Sequence, residues 1–380
     1  MATIDDGGKG TPFLRGMLTH YLLEHGFTFL EAYQLADRVR GAIQKRKTVQ
    51  ASEMIDLVYS LSRELFGERP IGSGVFWAPR SQQILVEDES GNRPFSREHL
   101  SHSLRISGVD EHQAYRISER IEADFIHREK TVVGRDDILG ASLEILKRES
   151  GDLFAERYRI WNAFRKREHN RPLVVLIGGA TGVGKTSVGV SLANLLRISR
   201  VASSDEIRQV MRFLIAPDLM PALHQSSYAA WESYTDATVE GGDPVLHAFR
   251  EQSLRVCVGI RALIQRAIEE NVSLILDGVH LLPDLMDFSE YEDQAIFVRV
   301  NLFLADAKPF KDRFKSRDKE ASKRGEHRYL RYLKQILRIQ QHILELGESN
   351  NVPAFENTDL DEVVQSISLL IMDTLRRVMK

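Results

Sequence analysis

Cysteine is almost absent from the 380-residue chain, in which Cys257 is the only one. A single cysteine excludes an intramolecular disulfide and a cysteine-based zinc site, and it is typical of a reducing compartment. Long apolar runs are missing too, since none approaches the roughly 18 residues needed to span a bilayer. The N-terminal segment lacks the basic stretch and apolar core of a signal peptide. We therefore expect a cytoplasmic protein without a membrane partner.

A large charge imbalance is also absent. The chain has 51 Lys and Arg against 54 Asp and Glu, which gives a formal net charge of −3. This balance excludes a general polyanion binder, although a local basic cluster is still compatible with nucleic acid. The hydrophobic fraction of 43% and charged fraction of 28% are those of a globular protein and exclude a disordered chain. The length predicts two or three domains.

The N-terminal part contains an internal repeat. Residues 12–46 and 94–128 align without a gap and share eleven identical pairs, where unrelated sequences would share about two. Apolar residues at helical spacing predict helices in both copies. A predicted strand at 83–86 precedes the second copy, and we expect no such strand before the first.

From Pro172 onwards, short apolar runs alternate with helical stretches. The runs 173–177, 200–202, 273–276 and 295–304 predict strands, and 249–270 and 329–346 predict helices. This alternation predicts βαβ units and a parallel sheet, with the main domain boundary near residue 170.

The strongest motif is GATGVGKT at 179–186, which matches G-x-x-x-x-G-K-[ST]. The glycines let backbone N–H groups surround phosphate oxygens, and the start of the following helix adds its positive end. Lys185 can reach the β- and γ-phosphates of ATP, and the hydroxyl of Thr186 can bind Mg²⁺. The flanking strand and helix favour nucleotide binding over a chance glycine turn. The predicted nucleotide-binding residues are Gly179, Ala180, Thr181, Gly182, Val183, Gly184, Lys185, Thr186 and Ser187.

The guanine-recognition motif N-K-x-D is not found, which leaves a kinase, a motor-like ATPase or a regulatory ATP switch. A kinase is favoured by Asp205, which follows the second predicted strand and could orient or deprotonate an attacking hydroxyl. Arg208 and Arg212 could bind an anionic substrate. The alternative is a capping aspartate with solvated arginines on a surface helix.

A second carboxylate, Asp277, ends the apolar run 274–276 and is predicted to bind Mg²⁺ with Thr186. A basic run at 308–338 is predicted to form a lid in which Arg313 and Arg317 close over the transferring group. A solvated basic helix and a nucleic-acid surface are the alternatives for this run, and nucleic acid is the less favoured one.

The long insertion after Arg212 carries clustered hydroxyl, amide and imidazole groups. Such groups suit recognition of a polar, anionic metabolite, and equally suit caps and turns. The predicted substrate-binding residues in this insertion are His224, Ser226 and Ser227.

The segments GGATGVGKTSV, SSDEIRQVMR, PALHQSSYAAW and ILDGVHLLP resemble the 2-phosphoglycerate kinase family, over roughly residues 172–375. The resemblance implies ATP-dependent phosphorylation of the 3-hydroxyl of 2-phosphoglycerate, which gives 2,3-bisphosphoglycerate and ADP. The alternatives are a P-loop kinase of another small acidic or phosphorylated metabolite and a non-catalytic ATP-sensing regulatory protein.

The segment 83–165, through ILVEDESGNRPFSREHLSHSL and AERYRIWNAFRKR, resembles an ATP-cone, and 12–67 is similar to a degenerate one. The resemblance implies a regulatory adenine nucleotide at 81–168, and the alternative is a helical platform for packing or for a homo-oligomer. We therefore predict an α/β P-loop kinase domain at 169–380, a parallel sheet flanked by helices. Mostly α-helical ATP-cone-like domains at 1–80 and 81–168 precede it.

Overall fold

The structure is a computed structural model, and it describes residues 2–6, 9–24, 27–44, 46–67, 76, 84–88, 91–128, 130–166, 171–234, 242–310, 313 and 326–379. The chain divides into two compact units. The first consists of Met1–Val86, Ser90–Phe95 and Ile126–Val132, and the second of Glu87–Glu89, Ser96–Phe125 and Val133–Lys380. The three-domain division expected from the sequence stays a prediction.

The first repeat copy begins with a β-hairpin. Its elements are β1 (Thr3–Asp6), β2 (Lys9–Pro12), α1 (Arg15–Glu24), α2 (Phe29–Ile43), β3 (Thr48–Gln50) and α3 (Ala51–Phe66). β1 pairs antiparallel with β2 and parallel with β3. The expectation that no strand precedes this copy was therefore wrong. The strand TIDD escaped notice because Ile4 is its one apolar residue, buried between polar neighbours.

The second copy repeats this order of elements. They are β4 (Leu85–Asp88), β5 (Gly91–Pro94), α4 (Arg97–Leu104), α5 (Glu111–His127), β6 (Val132–Gly134) and α6 (Arg135–Glu149). The sheet order β5-β4-β6 matches the order β2-β1-β3 of the first copy. The helix α7 (Asp152–Arg165) follows the second copy.

The remainder of the chain builds a five-stranded parallel sheet with the order β11-β10-β7-β9-β8. Its strands are β7 (Leu173–Gly178), β8 (Arg200–Ser203), β9 (Leu274–Gly278), β10 (Ile296–Phe303) and β11 (Ala354–Glu356). The helices are α8 (Lys185–Leu196), α9 (Ser204–Leu214), α10 (Pro244–Glu269), α11 (Glu326–Arg331), α12 (Leu333–Ser349) and α13 (Leu360–Val378).

Both faces of this sheet are covered by helices, which explains why β7 is apolar at every position but its last. Val175 and Ile177 pack into one core with α8, α12 and α13. Val174 and Leu176 pack into the other core with α9 and α10. A strand buried on both faces reads as a continuous apolar run. The predicted α/β class with a parallel sheet flanked by helices is confirmed.

Within the described parts of the chain, none of the helices has the length and apolar character needed to cross a membrane.

Candidate functional site

The glycine loop joins the end of β7 to the start of α8, and three of its glycines have backbone angles that other residues rarely adopt. The φ angles are +140° at Gly179, +94° at Gly182 and +88° at Gly184. A Cβ atom on Gly184 would lie 2.5 Å from Asn357 Nδ2 and 2.8 Å from Arg313 Nη1. The loop therefore depends on glycine for both its conformation and its packing.

Lys185 and Thr186 begin α8 and point to neighbouring parts of the site. The ammonium Nζ of Lys185 donates a hydrogen bond to the carbonyl oxygen of Ala180 at 2.7 Å, so the side chain folds back over the loop. The hydroxyl of Thr186 donates to Oδ2 of Asp277 at 2.9 Å. The two residues expected to bind a metal ion are therefore in direct contact.

Asp277 lies at the end of β9, between β7 and β8, and is 2% exposed. Burial raises the pKa of this carboxyl above its ordinary value, and the Lys185 charge and the Thr186 hydroxyl only partly oppose the rise. An ionised Asp277 is thus incompletely compensated by the protein alone. A divalent cation beside it would favour the ionised form.

Asp205 is the second residue of α9, immediately beyond the carboxyl end of β8. The residue that caps this helix is Ser203, whose hydroxyl accepts from the Asp205 N–H at 3.2 Å. Within β8, Ser203 pairs in register with Asp277 of β9. The two carboxylates therefore project from neighbouring strand ends, at the edge where ligands bind in open α/β sheets.

The Asp205 carboxylate is ionised at neutral pH. Desolvation by surrounding protein would raise its pKa, but the positive charges of His280, Arg208 and Lys185 outweigh it and hold the pKa below its usual value. The side chain is 62% exposed, so it is open to solvent despite these neighbours. Because the pKa of His280 is itself only about 4, Arg208 and Lys185 supply the charge at neutral pH.

Arg208 ties α9 to the insertion that follows it. Its Nη1 donates to the carbonyl oxygens of Leu223 at 3.1 Å and Gln225 at 3.0 Å, and its Nε lies 3.3 Å from Asp205 Oδ1. The side chain is only 12% exposed. In this structure Arg208 therefore fixes the insertion and Asp205, and its role in binding substrate stays a prediction.

The other predicted substrate-binding residues lie on α9, in the case of Arg212, and in the insertion that follows it. Arg212 Nη1 donates to Gln209 Oε1 at 2.9 Å, and within the described residues its buried Nε has no hydrogen-bond partner. His224 Nε2 lies 2.8 Å from the Ile215 carbonyl oxygen. Ser226 is half-buried and Ser227 is buried. Their role towards a substrate also stays a prediction.

A buried polar network lies next to Asp205 and includes the preceding residue, Ser204. It was not recognised as a network from the sequence. His280 is fully buried, with Nδ1 at 2.8 Å from Ser204 Oγ and Nε2 at 3.1 Å from Gln252 Oε1. Gln252 Nε2 donates to the carbonyls of Ala222 and Gln225, which fixes the orientation of its amide. Since Oε1 can only accept, His280 carries its proton on Nε2, and Nδ1 accepts from Ser204. The available signal was position, because Ser204 precedes Asp205 and His280 closely follows Asp277.

Arg313 contacts the glycine loop from the segment after β10. Its Nη1 donates to the Val183 carbonyl oxygen at 2.7 Å, and its Nη2 donates to the Asn357 carbonyl oxygen. The side-chain amide of Asn357 donates to the same Val183 oxygen at 2.8 Å. Asn357 was missed because only the fold brings it to the loop. Arg317 and residues 314–325 of the predicted lid lie outside the described residues, so lid closure stays a prediction.

The sequence was compared with known proteins. No family model matches the chain, but several curated proteins are similar to it over most of its length. It is 33% identical over 298 residues to the 2-phosphoglycerate kinase of Pyrococcus furiosus, which covers 78% of this chain and 96% of that protein. It is 35% identical over 303 residues to the enzyme of that name from Methanopyrus kandleri, which covers 78% and 89%.

Among solved structures, shikimate kinase from Acinetobacter baumannii in complex with shikimate matches with a TM-score of 0.31 and 15% identity. That match covers 55% of this chain and 97% of that one. On the sequence identity and coverage of its curated relatives, the chain belongs to the 2-phosphoglycerate kinase family.

Proposed function

We propose that this protein transfers the γ-phosphoryl group of ATP to the 3-hydroxyl of 2-phosphoglycerate, giving 2,3-bisphosphoglycerate and ADP. The names of its curated relatives support the acceptor. The observation that carries the proposal is the position of two carboxylates beside the glycine loop. Asp277 contacts Thr186 at 2.9 Å, and Asp205 follows the neighbouring strand end. One carboxylate can serve the nucleotide side and the other the acceptor side.

The nucleotide side is formed by residues 179–187. We propose that the loop amides and Lys185 bind the ATP phosphates, and that Thr186 and Asp277 hold Mg²⁺. A hydroxyl and a carboxylate are hard oxygen donors, and Mg²⁺ sites commonly use one or two protein ligands together with substrate phosphates. Mg²⁺ bound there supplies positive charge to the β- and γ-phosphate oxygens.

The acceptor side is formed around Asp205. Its ionised carboxylate accepts a hydrogen bond from the attacking hydroxyl and takes the proton as that oxygen bonds to the γ-phosphorus. The bond from the γ-phosphorus to the bridging oxygen breaks, and ADP leaves. We propose that Arg208, Arg212, His224, Ser226 and Ser227 bind the phosphate and carboxylate of the acceptor. Arg313 and Arg317 are proposed to stabilise the transferring group.

An assay of ADP release with a panel of acidic and phosphorylated metabolites tests this function. Turnover with 2-phosphoglycerate alone is the expected result. Turnover with a different acceptor would reassign the enzyme to another small acidic metabolite. Tight ATP binding without acceptor-dependent turnover would indicate a regulatory ATP-sensing protein instead. Identification of the product as 2,3-bisphosphoglycerate by ³¹P NMR completes the test.

We also propose that the protein acts in the cytoplasm, where its metabolites would be found.

We further propose that residues 81–168 bind a regulatory adenine nucleotide. The match to the Pyrococcus furiosus protein covers 78% of this chain, which is more than the 212 residues in 169–380, so the similarity extends into the N-terminal half. Binding of ATP to a Lys185→Ala variant tests the regulatory site. Retention of one ATP per chain is expected, and complete loss of binding would contradict it.

A further inference from the structure

A cavity of about 210 Å³ lies at the amino edge of the parallel sheet, the edge opposite the glycine loop. Its lining includes residues that immediately precede three neighbouring strands: Pro172 before β7, Ser199 before β8 and Ser273 before β9. The end of α7 also contributes to its wall. Since β7 has six residues and spans about 20 Å, the cavity is separate from the proposed catalytic site.

The charged side chains that line this cavity are all positive. They are Arg165, Arg171 and Arg197, and the described lining contains no Asp or Glu. Arg171 is anchored through Nη2 to the carbonyl oxygens of Glu292 and Ala295. Arg197 Nη1 donates to His99 Nε2 at 2.6 Å, so this neighbour is an uncharged acceptor. The guanidinium of Arg171 is therefore positioned by neutral carbonyl oxygens, and that of Arg197 contacts an imidazole.

Arg165 is the third cation of the lining. No carboxylate acts on its guanidinium within the parts of the chain that the structure describes. Desolvation by surrounding protein and the charge of Arg135 both lower the pKa of its guanidinium. Its side chain is nevertheless exposed to solvent, as expected for a cation that lines an open cavity. Like charges held together in this way gain stability from a bound anion.

Two residues of the lining also carry buried hydrogen-bond donors without a partner among the described residues. Trp161 is 2% exposed, and its indole Nε1 has no hydrogen-bond partner within the described residues. Nε of Arg171 is likewise buried and without a partner there. Unpaired buried donors are uncommon in folded proteins and are costly unless an ion, a ligand or water satisfies them.

We propose that this cavity binds a small, multiply charged oxyanion, namely phosphate or the phosphate group of a phosphorylated metabolite. The volume is below the range of pockets for drug-sized ligands, which suits a single compact anion with its water. Guanidinium groups are well suited to a phosphate group because their donors match its oxygens in pairs. The cavity would bind this anion independently of the glycine loop.

Binding of inorganic phosphate to the full-length chain, measured by calorimetry, tests the site without relying on turnover. The Lys185→Ala background weakens binding at the glycine loop, and the phosphate binding that then depends on Arg165 and Arg197 reports the cavity, separately from the proposed acceptor site. We expect this component to amount to one phosphate per chain. Adding Arg165→Gln or Arg197→Gln should weaken it about tenfold or more, because each removes a charged donor.

Arg159→Gln is the matched control, because Arg159 lies exposed on the same helix, α7, and does not line the cavity. It should leave phosphate binding unchanged. A parallel titration with 2-phosphoglycerate, made with and without Arg165→Gln, identifies the source of the anion. If the binding that depends on Arg165 is tighter for 2-phosphoglycerate than for inorganic phosphate, the cavity is assigned to a phosphorylated metabolite, and equal binding assigns free phosphate. The proposal is overturned if the Lys185→Ala background binds no phosphate, or if Arg165→Gln and Arg197→Gln bind it as well as the control.

Discussion

Two carboxylates at adjacent strand ends acquire opposite protonation tendencies from their surroundings. Burial raises the pKa of Asp277, whereas neighbouring positive charge lowers the pKa of the more exposed Asp205. Environments that separate the pKa values of two acids are a common way to divide roles in an active site. The division agrees with the proposed assignment of Asp277 to the metal and Asp205 to the acceptor hydroxyl.

Asp205→Asn tests the acceptor-side role. The amide keeps the size of the side chain but removes its charge and its ability to take a proton, so kcat should fall about 10²- to 10⁴-fold. The dissociation constant of ATP should change little, because Asp205 lies on the acceptor side. The neighbouring variant Glu206→Gln is the control, since Gln also serves in a capping box. Wild-type kcat in Asp205→Asn would reject the assignment.

Lys185→Ala tests the nucleotide side. Loss of the ammonium group removes the charge proposed to contact the β- and γ-phosphates, and turnover should fall at least about 10²-fold. The thermal unfolding midpoint without nucleotide should fall by only a few degrees, because the substitution removes one hydrogen bond, to the Ala180 carbonyl oxygen. A variant that keeps its turnover would show that the loop does not position the transferred phosphate.

Among the strands, those buried on both faces could be predicted from the sequence. β7 and β9 are such strands, and their apolar runs predicted them, as the glycine motif predicted the strand–loop–helix order around it. The polar strand β1 could not be predicted in this way. The packing of Arg313 and Asn357 on the loop could not be predicted either, because these contacts span 130 and 174 residues and no local pattern records them.

Gly184→Ala tests how tightly the loop is packed. A methyl group at φ +88° would be strained and would press on Asn357 and Arg313, so nucleotide affinity should fall about tenfold or more. Gly189→Ala on α8 is the matched control. Its nearest contact would be 3.7 Å, ordinary van der Waals distance, and alanine favours a helix by up to about 1 kcal/mol. ATP binding by calorimetry and thermal unfolding separate the two effects, and equal ATP affinities in both variants would contradict this reading of the loop.

At the scale of the second compact unit, the network centred on His280 joins four elements. It links the start of α9, the end of β9, Gln252 of α10 and the carbonyls of the insertion at 222–225. Apolar periodicity predicts which faces of helices pack, but it does not predict which buried polar groups pair. Burial lowers the pKa of His280 to about 4, so the network contains a neutral imidazole. Its protonation therefore bears on the stability of the fold.

The pH dependence of unfolding tests this neutral imidazole. In the unfolded chain His280 takes up a proton near its ordinary pKa of 6.5, and in the folded chain only near 4, although Asp205 favours the proton and Arg208 and Lys185 oppose it. Its contribution to stability is therefore present above pH 6.5 and is lost as the pH falls towards 4. Between pH 7 and 5 the free energy of unfolding should drop by about 2 kcal/mol from this group. Denaturant titrations should show this component absent in His280→Gln and retained in His112→Gln, an exposed control. The claim is contradicted if the wild type, His280→Gln and His112→Gln all show the same drop and the His280 imidazole resonance of the wild type titrates near pH 6.5. The fold would then not hold this histidine neutral.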